Sequence, residues 1–384
     1  MSWPRAPLLM VASSSRTGPA EGLISLAREL RSIGLDARFA GDTVRPGENL
    51  GEHLAQAGVP FESDLRLSRK VRLSDVRHDV QLLARRAREG RYDLFHAAFA
   101  HDHLVSLLAE WRARSAELRV VRAAQRRADV EPGFLKRRLW ALRRSDGVVV
   151  HCSSYRERLI AAGLVPQRVA TVFGSVDAAW FTPGPGRAPE LRARWGVPAD
   201  APLAGIVARM KPERGHRELL AGFARALREV RDAWLVLVGR GEDEETLRGV
   251  VRELAVTDRV VFGGYLRGPG LVEAYRALDV AVWLREGNDG ACRGVLEAMA
   301  CGLPVIAGDE GAPAELVRDG TDGRIVAASD PAAIGRALAE LLGDLSRARE
   351  LGAAAREHAS QFTARRAADE TLAFWRRLRD LDPA

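Results

Sequence analysis

The chain has 384 residues, 47% hydrophobic and 28% charged, with a net charge of +7 and a pI near 9.9. That length exceeds one ordinary core and suits two domains, and the balance excludes both a disordered chain and a membrane-embedded one. Apolar runs such as Leu8–Ala12 and Val148–Val150 fall far short of the ~20 residues a bilayer crossing needs, and the opening MSWPRAPLLMVASSS reads as a first buried strand rather than a secretory leader.

Leu8–Ala12 predicts a strand, SSSRTGPAEG a loop, and Leu23–Ile33 an amphipathic helix that Gly34 closes before a strand at Asp36–Ala40. This is a βαβ opening, although its loop has one early glycine and fits a dinucleotide fingerprint poorly. A helix over Val76–Ala87 leads to a strand at Tyr92–His96, where His96, His101, Asp102 and His103 crowd together. His101 and His103 lie two apart, not the four that helical chelation of zinc favours, so no metal site is assigned. Leu118–Ala123 predicts a strand, Phe134–Arg144 a basic helix, Gly147–His151 a strand, Tyr155–Ala162 a helix capped by Ser153-Ser154, and Val169–Phe173 another strand.

Of the 58 basic residues only Lys70, Lys136 and Lys211 are lysines. The clusters Arg66–Arg72, Arg85–Arg91 and Lys136–Arg144 read as solvated helix faces, with peripheral contact to an anionic membrane as the alternative. They carry no interleaved aromatics or zinc spacing, which argues against a nucleic-acid partner. Cys152, Cys292 and Cys301 show neither disulfide-framework nor metal spacing, so the expected location is the cytoplasm, including the inner face of the membrane.

GPGRAPELRARWGVPADAP predicts a linker over residues 184–200, and then the pattern restarts. Strands are expected at Ala204–Ala208, Trp234–Val238, Val260–Phe262 and Val280–Leu284, with helices at Glu218–Val230, Glu244–Leu254 and Leu271–Leu278 between them. Such alternation in two halves separated by a Pro-rich break means two doubly wound parallel sheets, not a barrel. Arg209, Lys211 and Arg214 follow the first of these strands, as phosphate-binding cations or as a plain surface cluster. Gly239 and Gly241 follow the second, where a missing side chain lets the backbone approach a ligand.

The stretch REGNDGACRGVLEAMACGLPVI, Arg285 to Ile306, opens as a Gly-rich loop holding Asp289 and Gly290 and runs into a helix with Val295, Leu296, Ala298 and Met299 on its apolar face. Free amides around Arg293 and Gly294 suit a phosphate, and Glu297 faces the same ligand as Asp289 if the loop folds back. Gly302 and Pro304 end that helix, Val305–Ala307 forms a strand, and helices follow at Asp330–Leu342, Leu345–Ser360 and Thr363–Leu378.

Asp289, seven intervening residues and Glu297, followed by AMACGLPVIA, resemble the Glu-x7-Glu signature of glycosyltransferase family 4. Those are retaining nucleotide-sugar transferases of the GT-B fold, an α/β architecture of two Rossmann-like doubly wound domains with a donor cleft between them and a C-terminal helix crossing back onto the first. The resemblance implies that Glu297 holds the donor ribose and that Asp289, one methylene shorter than the family's Glu, contacts the transferred sugar. Arg209 and Arg214 match the Arg and Lys of Gly-Arg-x4-Lys-Gly on the donor diphosphate, with Lys211 as a stand-in. Gly18, Gly239, Gly241, Gly290, Arg293 and Gly294 take the remaining donor-binding positions, and Val261–Tyr265 sits where the base is held. Asp93 and His96 fit an Asp-x-x-His-x-His pattern whose His lies near the sugar, and with Ala98 at the next expected His, His101 supplies that role. Asp177, Phe181 and Pro183 match a Gly-Val-Asp-x-x-x-Phe-x-Pro segment that closes the first domain.

The expected activity is metal-independent, retaining hexosyl transfer from a UDP- or GDP-sugar, with no cofactor, to a glycan, lipid-linked or small-molecule hydroxyl. A GT-B nucleotide-sugar epimerase and a non-catalytic nucleotide-sugar-binding protein are the alternatives. The expected domains are residues 1–183 with a returning helix over 363–384, the linker 184–200, and a donor domain over 201–362.

Overall fold

A computed structural model describes residues 3–14, 18–43, 50–68, 72–184, 188–286 and 292–381. Asp289 and Gly290 lie outside them. The chain forms two units, one of Met1–Gly174 and Ala364–Ala384, the other of Ser175–Gly287 and Cys292–Thr363.

The first unit runs β1 (Pro7–Val11), α1 (Gly18–Ser32), β2 (Arg38–Gly41), α2 (Leu50–Gln56), α3 (Leu73–Arg88), β3 (Leu94–Ala97), α4 (Ala100–Ala113), β4 (Arg119–Ala123), α5 (Arg127–Val130), α6 (Pro132–Arg143), β5 (Gly147–Val150), α7 (Ser153–Ala161) and β6 (Val169–Thr171). The second runs α8 (Pro189–Arg194), β7 (Leu203–Val207), α9 (His216–Ala226), β8 (Trp234–Val238), α10 (Glu244–Glu253), β9 (Val260–Gly264), α11 (Pro269–Ala277), β10 (Val280–Trp283), α12 (Arg293–Ala300), β11 (Val305–Gly308), α13 (Gly311–Leu316), β12 (Gly323–Val326), α14 (Pro331–Gly343) and α15 (Leu345–Ala359). The last helix, α16 (Ala364–Arg379), returns to the first unit and packs on α1.

Both sheets have six strands, in the orders β2-β1-β3-β4-β5-β6 and β12-β11-β10-β7-β8-β9, with every strand pair parallel. Strand order reverses between β1 and β3 in one sheet and between β7 and β10 in the other. In open parallel sheets a ligand binds beyond the carboxyl ends of the strands at such a reversal. Alternating residues of β1 feed two cores. Leu9 and Val11 pack with α1 and α16, whereas Leu8 and Met10 pack with α3 and α4.

Register is fixed by one repeated device. Asp93, immediately before β3, accepts from the amides of Arg5 at 2.7 Å and Ala6 at 3.1 Å, where β1 begins. Asp146, before β5, accepts from Val120 of β4 at 2.8 Å, and Asp279, before β10, accepts from Leu203 of β7 at 2.9 Å. Each carboxylate thus ties the start of its own strand to that of a neighbour.

The two units of the chain meet between Gly174 and Ser175. Two expectations need correction. Within the expected linker lies α8, whose Arg192, 1% exposed by side chain, donates to the carbonyls of Ala277 (2.8 Å), Ala201 (2.7 Å), Pro198 and Ala199 (both 3.3 Å) and to Asp279 (2.9 Å). A segment so tied belongs to the second unit's core, whatever its Pro and Gly content. Finally, α7 begins at Ser153 with Cys152 as its N-cap, so Ser153 and Ser154 lie inside the first turn. The 14-residue α4 and the shorter elements α2, α5, α8, α13 and β12 were not predicted.

Replacing Arg192 by Met would leave Asp279 buried without its cation and several carbonyls without a donor. Urea unfolding of Arg192→Met is expected to show a loss of about 3–5 kcal/mol, the usual cost of breaking a buried pair. A loss below about 1 kcal/mol would refute the role given to this side chain.

Candidate functional site

In the second unit the reversal lies between β7 and β10, and the loops that leave those strands carry the predicted cations. Arg209 lies 3.8 Å from Glu242, and Lys211 lies 3.1 Å from the same carboxylate. Arg214 spreads its guanidinium over the Trp283 ring, 5.9 Å from the centroid. Three positive charges therefore sit at the carboxyl end of β7, balanced nearby by Glu242 and Glu213.

Gly239 and Gly241 lie against the backbone of the neighbouring loop. A Cβ on Gly239, at φ +147°, would lie 2.0 Å from the Ala208 carbonyl oxygen, and one on Gly241 would lie 1.8 Å from that of Met210. The glycines let the loops after β7 and β8 lie backbone against backbone, joined by Ala208 N–H to Val238 (2.9 Å) and Met210 N–H to Arg240 (3.2 Å). Their close approach is to the neighbouring loop, which fixes the segment bearing Arg209 and Lys211. Arg240 also covers the exposed ring of Tyr265 at 4.6 Å, next to the strand expected at the base.

Beyond β10, α12 starts from Cys292 at φ +44°. Gly294 admits the Trp283 indole, since a Cβ there would lie 2.2 Å from the ring, so Arg214, Trp283 and the first turn of α12 form one column. Of the eight residues of α12 only Arg293 and Glu297 escape burial. Four apart, they share one face. Glu297 accepts a hydrogen bond of 2.9 Å from the Tyr275 hydroxyl of α11. Tyr275 is itself buried, and burial together with Glu297 raises its pKa well above the ordinary value.

In the first unit the reversal lies between β1 and β3, and α1 and α4 follow those strands. Gly18 is the first residue of α1, and the three residues before it lie outside the described ones. Asp102, fully buried at the start of α4, accepts from the amides of Ala12 (3.3 Å), Ala98 (3.2 Å), Phe99 (2.7 Å) and His103 (3.1 Å). It closes the helix start and fastens the end of β1 to it. Burial, against the pull of Arg122 and these amides, pushes its pKa up to about 7.

The three histidines separate sharply. His96 is 2% exposed and meets Trp375 of α16 edge to face at 5.4 Å; burial, with Arg122 and His151, takes its pKa down to about 3. It is a core residue under α16, and its strand carries it to the inner face along with Leu94 and Ala98. His103 is likewise buried, bonded at 2.7 Å to Ser145. Only His101, the second residue of α4, keeps a partly open side chain; burial lowers its pKa against the pull of Asp79, Asp42 and Asp75. Asp93 acts at the amino end of its strand, as described above, away from His101.

Sequence reasoning passed over Tyr275 and Trp283 and gave Asp102 no role of its own. The spacing of Asp102 three residues past Phe99 is that of a helix cap, and Tyr275 lies four residues before Asp279, which caps β7, but nothing local signals its bond to Glu297. Among the described residues no three His, Cys, Asp or Glu side chains gather where a metal ion could be held. No described helix is long and apolar enough to cross a membrane.

Residues 188–358 match the family described as Glycosyl transferases group 1, and residues 17–180 match Glycosyltransferase Family 4. The chain is 31% identical over 280 residues to a GDP-mannose-dependent alpha-(1-6)-phosphatidylinositol monomannoside mannosyltransferase of Mycolicibacterium smegmatis, covering 70% of this chain and 73% of that relative. It is 29% identical over 376 residues to a D-inositol 3-phosphate glycosyltransferase of Streptomyces bingchenggensis, covering 90% and 82%. Among solved structures, HepE of Anabaena in complex with UDP and glucose superposes with a TM-score of 0.80 at 21% identity, covering 96% of this chain and 99% of that one. Sucrose-phosphate synthase of Thermosynechococcus elongatus gives 0.77 at 22%, covering 97% and 99%. These two likenesses show a shared GT-B fold.

One residue beside the site gives a pH test. His216, the first of α9, is 1% exposed with neither ring nitrogen hydrogen-bonded, and burial, then Arg214, pulls its pKa from 6.5 to about 4. Between those values the unfolded chain holds a proton that the folded chain lacks, so stability is lost as pH falls from 6.5 towards 4. In denaturant unfolding, His216→Leu should gain on the unsubstituted protein by about 1.4 kcal/mol per pH unit across that window. Parallel pH curves would refute this placement of the imidazole.

Proposed function

Because the chain belongs to the group 1 glycosyl transferases of glycosyltransferase family 4 and is a nucleotide-sugar glycosyltransferase, we propose that it transfers a hexose with retention from a UDP- or GDP-sugar to the hydroxyl of an acceptor bearing an anionic head group. The observation that carries this reading is the shared face of Arg293 and Glu297 on α12, beside the column of Trp283 and Arg214. Glu297 takes the ribose hydroxyls. Arg209, Lys211, Arg214 and Arg293 take the diphosphate, where positive charge stabilises the departing nucleoside diphosphate and makes a divalent metal dispensable. The named relatives act on phosphatidylinositol monomannoside and on inositol 3-phosphate, which supports an anionic acceptor.

In the proposed step the anomeric carbon–oxygen bond breaks, and its electron pair passes to the diphosphate. The acceptor oxygen bonds to the same face of the sugar, and its proton moves to the departing phosphate oxygen. His101, neutral and partly open, is assigned to the transferred sugar, and the buried His96, the fallback for that role, is not. Asp289 keeps its expected contact with that sugar as part of the proposal.

The test is product stereochemistry. With an α-linked donor sugar, the anomeric coupling in the NMR spectrum of the product is expected to report an α-linkage, with or without a chelator. A β-linked product would overturn retention, and loss of activity on chelation, restored by magnesium or manganese, would overturn metal independence. In the same assay His101→Ala should lower kcat by roughly 10²–10⁴-fold with donor affinity unchanged. Unchanged kcat would remove His101 from the step.

A further inference from the structure

The ribose contact assigned to Glu297 demands one rotamer of a partly open carboxylate on a helix face. Left alone, such a side chain samples several rotamers, and each costs affinity when the ligand selects one. The Tyr275 hydroxyl limits that freedom. The Tyr275 hydroxyl lies 2.9 Å from Oε2 of Glu297, and Tyr275 is 1% exposed, so its own contact is with the carboxylate and not with a ligand.

Tyr275 is in turn held. The Phe181 ring meets it edge to face at 6.0 Å, and the next residue in α11, Arg276, donates at 2.9 Å to the carbonyl of Thr182. The chain that enters the second unit through Phe181, Thr182 and Pro183 therefore braces the same turn of α11 that carries Tyr275, and Pro183 also touches the end of α12, 3.2 Å from where a Cβ on Gly302 would lie.

We infer that Tyr275 is a positioning residue for donor recognition: its hydroxyl anchors Oε2 of Glu297 and thereby directs Oε1 to the ribose hydroxyls. This rests on the ribose assignment made above. A tyrosine that only filled the core would leave ribose recognition untouched when its oxygen is removed, so the two roles make different predictions.

The experiment compares affinities for UDP and GDP with those for their 2′-deoxy and 3′-deoxy forms, by calorimetry, in the unsubstituted protein and in Tyr275→Phe, Glu297→Ala and the double variant. The ratio of ribose to deoxyribose affinity is insensitive to any misfolded fraction, which scales both measurements alike. The unsubstituted protein should favour at least one ribose form by roughly tenfold or more, as for a hydrogen bond to a charged group. Glu297→Ala should bring the ratio near one, and Tyr275→Phe should reduce it roughly three- to tenfold, with no further change in the double variant. Phe181→Leu, which keeps the hydroxyl but loosens its ring, should fall between. If Glu297→Ala keeps the ribose preference, the ribose assignment fails, and this inference with it. If Glu297→Ala abolishes the preference while Tyr275→Phe retains it, the assignment stands and the positioning role is overturned.

Discussion

A parallel sheet has no hairpins to set its register, so something else must decide which residue of one strand faces which residue of the next. In this chain a buried carboxylate does it, three times. Asp93, Asp146 and Asp279 each precede a strand and accept from amides at or just before the start of the strand beside it. A slip of one residue would strand a charged group in the core and turn every side chain to the wrong face. With the starts of β7 and β10 aligned by Asp279, their carboxyl ends align too, and the loops bearing Arg214 and α12 meet around Trp283.

The site is then built by exclusion of side chains as much as by their presence. Gly239, Gly241 and Gly294 bring backbone to backbone or backbone to indole, and these contacts hold Arg209, Lys211 and Arg214 at the ends of strands. Clustered cations repel one another, and Glu242 and Glu213 offset part of that repulsion without burying any of the charges completely. In the first unit the opposite economy applies. Asp102 spends both oxygens on four amides, and the nearby His96 and His103 are stripped of charge by burial.

Much of this was legible before any coordinates. Apolar runs marked eleven of the twelve strands within two residues at each end, because a strand buried on both faces has few alternatives to Val, Ile, Leu and Ala. The fold class followed from their alternation with helices, and Glu297 became a candidate through its resemblance to the second acid of the Glu-x7-Glu signature. What escaped had short or contradictory local signals. β12 is four residues with an arginine among them, and α8 hides in a Pro- and Gly-rich stretch whose order comes from Arg192, through contacts up to 87 residues away in sequence. The glycines were seen without the loop that packs on them, since sequence shows that a side chain is missing and not which backbone lies in its place. His101 was preferred to His96 without a structural reason, and strand parity, which Leu94 and Ala98 already carried, supplies one by placing His96 in the core.

Arg192 bears on how such chains can be recombined. Relatives of this architecture invite the exchange of halves, and a spacer rich in proline and glycine looks like the natural crossover point. Here a junction at residues 195–197 would hand one parent the guanidinium and the other the carbonyls of Pro198, Ala199 and Ala201, together with Asp279. A chimera joined between Gly174 and Ser175 inherits the whole set from one parent. The seam in this protein lies where contacts are fewest, upstream of the segment whose composition advertises one.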